Sequence, residues 1–263
     1  MQYYLNRRTN SDPISVFKGG YWRDALKTGL ALREALGTNP FQLGAIGASD
    51  SHLTGAPYEE KRMFNMGDNS PVGRNSAYPG YADPTKGWDN FWTDRRATHG
   101  TGGLAGIWAE ENTRASLFDA MRRRETFATS GPRIRLRLFG GFDLSNPSQE
   151  ELRFTQHGYE AGVPMGGVLS DAQGREPQFM LWATRDPHEG WLQRAQIIKG
   201  WLEEGDIKEQ VYDVACSDGL EPDERTHRCP DNGARVNVAD CSVSRDKGAT
   251  ELRAHWKDPD FNP

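Results

Sequence analysis

The residues best suited to chemistry stand at the end of an apolar run. In "LGAIGASDSHLTGAP", Leu43 to Pro57, small and apolar residues give way at once to Asp50, Ser51 and His52. Alternate residues leaving a strand point the same way, so Asp50 and His52 can face one ion while Ser51 faces away. A carboxylate oxygen together with a neutral imidazole nitrogen suits a divalent zinc, manganese or iron ion. The competing reading makes Asp50 a turn-forming cap, and the three residues alone leave both open. Glu110 and Glu111 follow a second apolar run, "LAGIWA", and are expected at the same end of the sheet as Asp50. A carboxylate there can contact a substrate or support a metal ligand, or it can complement the positive start of the next helix. The candidate catalytic residues are therefore Asp50, His52 and Glu111, and the candidate metal ligands are Asp50 and His52. His99, in "THGTGG", reads as an exposed loop histidine.

The elements that must position these groups follow from periodicity. Tyr21 to Leu36 predicts a helix with Trp22, Ala25, Leu26, Leu32 and Leu36 on one side, stopped by Gly37 and Pro40. "FQLGAIGAS" is short, apolar and flanked by Pro and Gly, which favours a buried strand. Residues 53–103 form a long excursion with interleaved aromatics, and loops of that length inside a domain are usually functional, so a folded flap near the site is expected. "GGLAGIWA", Gly102 to Ala109, predicts a second buried strand, and "NTRASLFDAMRRR" a helix capped by Asn112 or Thr113. Helix, strand, flap, strand and helix is the rhythm of a parallel α/β layer.

After "TSGP" at 129–132 the texture changes. "IRLRLFGGFDL", "QFMLWATRD", "LQRAQIIKGWL", "KEQVYDVAC" and "TELRAHWK" are strand-like runs separated by turns such as "DAQG", "EEGD" and "SDG". No further helix is predicted, so residues 133–263 are expected to form an antiparallel, sandwich-like β domain. Arg133, Arg135 and Arg137 alternate with Ile134, Leu136 and Leu138, predicting a strand with one solvated face. Trp182, Trp191, Trp201 and Trp256 are expected in the core or at the domain junction. "GTGGLA" matches the dinucleotide fingerprint in letters only, because a loop precedes it and a strand follows.

Composition narrows the class of protein. The 263 residues carry a net charge of −5, and the 32 basic residues are scattered, which argues against nucleic acid as a partner. No apolar stretch approaches the roughly 18 residues of a membrane span, and "MQYYLNRRTNSDP" lacks the apolar core of a signal peptide. Cys216, Cys229 and Cys241 fall in one 26-residue, loop-rich window. A single disulfide, with one cysteine left over, is expected there; zinc, with His227 nearby, is the alternative, although the spacings fit no standard framework. The window favours an oxidising compartment, the periplasm or cell exterior.

"GASDSH", followed much later by "WAEENTRASLFDAMRRRETFATSGPRI" and then by "LQRAQIIKGWLEEG" and "VYDVACSDG", resembles a bacterial family of PHP-like proteins, named for polymerase and histidinol phosphatase homology. The resemblance covers nearly the whole chain. It implies a distorted β/α barrel whose strand ends hold two or three divalent metal ions for hydrolysis, typically of phosphoesters. By the same resemblance Asp50 and His52 are similar to the superfamily's last metal-binding motif. The superfamily's opening H-x-H is missing, since the histidines are 52, 99, 157, 188, 227 and 255. The expectation is a partial PHP-like β/α barrel over residues 1–132, an antiparallel β domain over 133–263, and an incomplete metal site. A cut barrel exposes apolar edges, so self-association is also expected; so is a non-catalytic binding or structural module, if the scaffold has no chemistry of its own.

Overall fold

A computed structural model describes residues 21–48, 103–144, 150–170, 173–237 and 242–261. The chain divides into two compact units, one of residues 1–43 and 196–212, the other of residues 44–195 and 213–263.

The first unit holds helix α1 (Trp22–Leu36), which starts and stops where the periodicity places it. Gly37 closes it at φ 74°, donating its N–H to the Arg33 carbonyl at 2.9 Å. This left-handed position suits a residue without a Cβ. Gly29 is needed for packing, because a Cβ there would lie 2.2 Å from the Asn39 side-chain oxygen. The unit also contains most of two strands, Arg194–Glu203 and Asp206–Cys216. Glu209 on the second accepts from Arg23 Nε at 2.6 Å and pairs with Lys27 at 3.0 Å, tying the helix to that strand.

In the second unit, β1 (Ala105–Ile107), α2 (Arg114–Arg123) and β2 (Thr126–Ala128) form a strand, helix, strand unit. Its two strands pair antiparallel, Ala105 opposite Ala128 and Ile107 opposite Thr126. There follow β3 (Arg135–Gly141), α3 (Glu151–Ala161), β4 (Val163–Pro164), β5 (Gln178–Thr184), β6 (Arg194–Glu203), β7 (Asp206–Cys216), β8 (Val236–Asn237), β9 (Ser242–Val243) and β10 (Glu251–Lys257). Four of these strands make one sheet in the order β10, β5, β3, β4, with antiparallel neighbours throughout. β6 and β7 join through Glu204 and Gly205, both at positive φ (52° and 82°), which matches the right-handed twist of a tight hairpin.

Both faces of the four-stranded sheet are covered. On one, Leu181, Ala183, Leu252 and Ala254 pack with Leu136 and Leu138 against Leu192, Ala195 and Val214. On the other, Phe139, Met180 and Trp182 pack against Phe154 of α3, whose ring meets Trp182 edge-on at 5.3 Å between centroids. Among the described residues Phe139, Phe154 and Met180 are the largest side chains that are fully buried, each contributing about 1.5–3 kcal/mol of hydrophobic stabilisation.

Three expectations are corrected. α3 was not predicted; its inward side is Phe154 and Gly158 among polar residues, too narrow an apolar stripe for periodicity to register. The parallel α/β layer is not found: among the described residues the strand pairings are antiparallel and no barrel closes. "FQLGAIGA" forms no ladder and leaves Leu43 and Ile46 exposed. The reason lies in Gly44 and Gly47, which weaken a strand and permit close backbone approach instead: a Cβ on Gly47 would lie 2.5 Å from the Thr129 carbonyl oxygen and 2.8 Å from that of Leu104.

Candidate functional site

Asp50, His52, His99 and the expected flap lie outside the described residues, apart from Gly103. The approach to Asp50 is described. Gly44 lies against Arg124 and Thr126, and Gly47 against Leu104 and Thr129. Because Ile107 faces Thr126 and Ala105 faces Ala128, the segment runs antiparallel to β1, and Ala48 leaves at the start of that strand. Glu110 and Glu111 stand beyond the other end, Glu110 six residues or up to about 20 Å along an extended chain from Leu104 and Glu111 one residue farther. The shared strand end expected for the acidic pair and the Asp50 segment is therefore not what Ala48 and Glu111 display. Glu111 is exposed, and its backbone N–H donates to Ser116 Oγ at 3.2 Å. Beside it, Thr113 caps α2 by accepting the Ser116 N–H at 3.3 Å.

The described residues build a different constellation. A cleft of about 700 Å³ is lined by Trp108, Glu110, Arg123, Glu125, Arg137 and Tyr159. Four elements supply it: Trp108 continues β1, Arg123 and Glu125 stand at and just after the end of α2, and Arg137 and Tyr159 come from β3 and α3. Arg124 makes the turn between Arg123 and Glu125 at φ 63°. Gly166 fits against that turn, since a Cβ on it would lie 2.2 Å from the Arg124 carbonyl oxygen.

Glu125 sits at the base with only 3% of its side chain exposed. Tyr159 donates its hydroxyl hydrogen to Glu125 Oε1, and Arg123 reaches Oε2 at 3.4 Å. Partial burial first, and then the adjacent Glu125 carboxylate, push the Tyr159 phenol above its ordinary pKa, so its proton is firmly held. Arg137 donates to the Tyr159 oxygen at 3.3 Å and lies flat on the indole of Trp108, 3.6 Å from the ring centroid. Trp108 is fixed in turn by its Nε1–H donating to the Leu136 carbonyl at 2.9 Å, and by the Phe127 ring at 5.8 Å. Arg137 Nε is buried without an acceptor, and the guanidinium has no ion-pair partner among the described residues.

Sequence reasoning missed this group for a definable reason. Arg137 alternates with Leu136 and Leu138, a pattern that reads as a solvated face, yet Trp108 and α3 cover it. The signal available was Trp108 itself, an aromatic at the exit of an apolar run.

In the cysteine window the structure joins Cys216 to Cys229 across 13 residues; Cys241 lies outside the described residues. This takes Cys216 and Cys229 out of the zinc alternative. Asp213, on β7 three residues before the bridge and 1% exposed at its side chain, accepts the Cys229 N–H at 2.8 Å and pairs with Arg228 at 3.3 Å, holding the end of the closed loop. Among the described residues no group of three or more His, Cys, Asp or Glu side chains is placed to hold a metal ion, and no helix is long and apolar enough to cross a membrane.

The family described as "Protein of unknown function (DUF3604)" matches residues 2–263. Comparison with curated proteins and with solved structures gives no match.

Proposed function

The chain belongs to the DUF3604 family, and we propose that it is part of a PHP-like metal-dependent hydrolase of phosphoester or related ester bonds. What carries this reading is the Asp50-x-His52 pattern in "GASDSH", together with the long stretches that share its resemblance. The donor set fits in kind: Asp50 would hold a zinc, manganese or iron ion through a carboxylate oxygen and His52 through an imidazole nitrogen. Two donors fall short of the three or four a protein usually supplies to zinc, so this pair forms one part of a site. Such an ion, when bound, lowers the pKa of a water towards about 7 and offsets charge on a leaving oxygen. Glu111, exposed ahead of α2 and beyond the end of β1 opposite to Ala48, stands apart from this two-donor set.

Metal content tests the proposal. After incubation with zinc, manganese or iron and removal of excess, the wild-type chain should retain stoichiometric metal, and Asp50→Ala or His52→Ala should lose it. A wild-type chain that remains metal-free under the same loading would sink the proposal.

The cleft around Arg137 favours a second reading, a non-catalytic binding module on the same scaffold. Metal-free protein that still binds ligand would select it. The Cys216–Cys229 bond supports an oxidising compartment, the periplasm or cell exterior. Exposed apolar side chains such as Phe118 and Ile198 support self-association. The sandwich-like arrangement expected of the β-rich part fits the sheet face packed on Leu192, Ala195 and Val214.

A further inference from the structure

The charges in the cleft do not cancel where they are buried. Glu125 is matched: it accepts the Tyr159 hydroxyl and pairs with Arg123. Among the described residues Arg137 is not matched by an acidic partner. It has a neutral phenol oxygen at 3.3 Å, an indole face at 3.6 Å and a buried Nε without an acceptor. The Arg137 side chain is half-buried and lines the cleft, and its flat guanidinium is a fork of N–H donors suited to two parallel oxygens.

We propose that the cleft is a binding site for the carboxylate of a small organic acid, seated on Arg137 and backed by the Trp108 indole. Its charge follows from what surrounds it. Glu125 at the base and Glu110 at the mouth both line the cleft, and each repels a second negative charge, so a singly charged carboxylate is accepted where a doubly charged phosphate is opposed. Shape points the same way. Trp108 is pinned through its N–H to Leu136, and the Arg137 guanidinium lies on its face at 3.6 Å, so the indole fixes the plane of the fork and a flat acid meets that fork edge-on with little ordering of the protein. Arg137 is in turn held by Trp108 and Tyr159, so the fork is oriented before the ligand arrives. The cleft lies beyond the end of β1 opposite to the one by which Ala48 leaves, and it needs no metal.

Calorimetric titration with benzoate, in the presence of a chelator, tests this on the whole chain, with inorganic phosphate as the comparison anion. Wild-type protein should bind benzoate saturably in the millimolar range or tighter, and phosphate more weakly. Arg137→Lys keeps a charge but loses the fork and the stacking, so benzoate binding should fall by about tenfold or more. Glu110→Gln removes an exposed negative charge without touching the core, and binding should tighten several-fold. No saturable uptake by wild type, phosphate bound more tightly than benzoate, or Arg137→Lys binding as wild type does would each overturn the assignment. The chelator makes the result independent of the Asp50 and His52 proposal. Should Arg137→Lys unfold, Glu110→Gln alone decides, since unchanged or weaker benzoate binding in that variant contradicts the charge argument.

Discussion

Glu125 shows how one residue commits several others. Its carboxylate lies almost wholly out of water, so every hydrogen bond it accepts replaces hydration it has lost. Tyr159→Phe removes the best of these while keeping the ring that packs edge-on against Phe139 at 5.1 Å. The expected cost is about 1–3 kcal/mol, read as a lower urea midpoint at unchanged m-value. The pH dependence has a definite sign. The folded pKa of Tyr159 is raised, by burial and by Glu125, so its contribution is full below the unfolded phenol value of about 10 and is lost as pH rises through the folded value. Stability above pH 10 should therefore fall less steeply in Tyr159→Phe than in wild type, and equal slopes would contradict it. Asp186 behaves in the opposite sense. Burial would raise its carboxyl, but the backbone N–H groups of His188 at 3.0 Å and Arg133 at 2.8 Å outweigh burial and hold the pKa below the ordinary value. Its contribution is present above the unfolded value and disappears as pH falls through the lower folded one. Asp186→Asn should thus narrow its stability deficit relative to wild type as an unfolding series moves from pH 6 towards pH 2.

At the scale of elements, the seating of α3 depends on the close approach of one glycine to a buried ring. Gly158 faces the Phe139 ring, and a Cβ there would lie 2.4 Å from a ring carbon. Alanine gains up to about 1 kcal/mol in helix propensity, but overpacking a ring that is 1% exposed costs about 1–3 kcal/mol. The packing term wins, so Gly158→Ala should lower the thermal midpoint, and a rise would show that α3 slides aside. The Cys216–Cys229 bond makes the second case. Closing a loop of this size restricts the unfolded chain by about 3 kcal/mol, and reduction should remove most of that from the urea-derived stability while Cys229→Ser protein stays indifferent to reductant. These elements differ in how legible they were. α1, α2 and the strands β3, β5, β6, β7 and β10 follow from strong local periodicity and turn residues, because each has one face whose burial the sequence repeats. α3 buries Phe154 alone as a large side chain, and β2 is three residues long, so neither offers a repeat to read. The cleft is the same problem in three dimensions: Arg137, Glu125 and Tyr159 are 12 and 22 residues from their neighbours in the set, and only the sheet register and α3 bring them together.

For the molecule as a whole, the balance between charge and exposed apolar surface decides behaviour in solution. A net charge of −5 over 263 residues gives weak repulsion between copies, and at 0.15 M salt that repulsion is screened beyond about 8 Å. Against it stand apolar side chains left in water: Phe118 at 55% and Met121 at 46%, three residues apart on α2, and Ile198 at 47% and Ile207 at 42% on the β6–β7 hairpin. β10 adds an edge, since within the described sheet it pairs only with β5, and an unpaired strand edge is a template for another chain. Attraction of this kind is apolar and backbone-mediated, so raising salt should strengthen association, whereas a contact built on ion pairs would weaken. Sedimentation velocity over rising protein concentration should show a weight-average mass growing above that of the monomer, more so at high salt. Phe118→Lys with Met121→Lys should return it towards the monomer if α2 carries the contact. A single monomeric species at every concentration and salt would mean that these surfaces, though exposed, are too dispersed to hold two copies together.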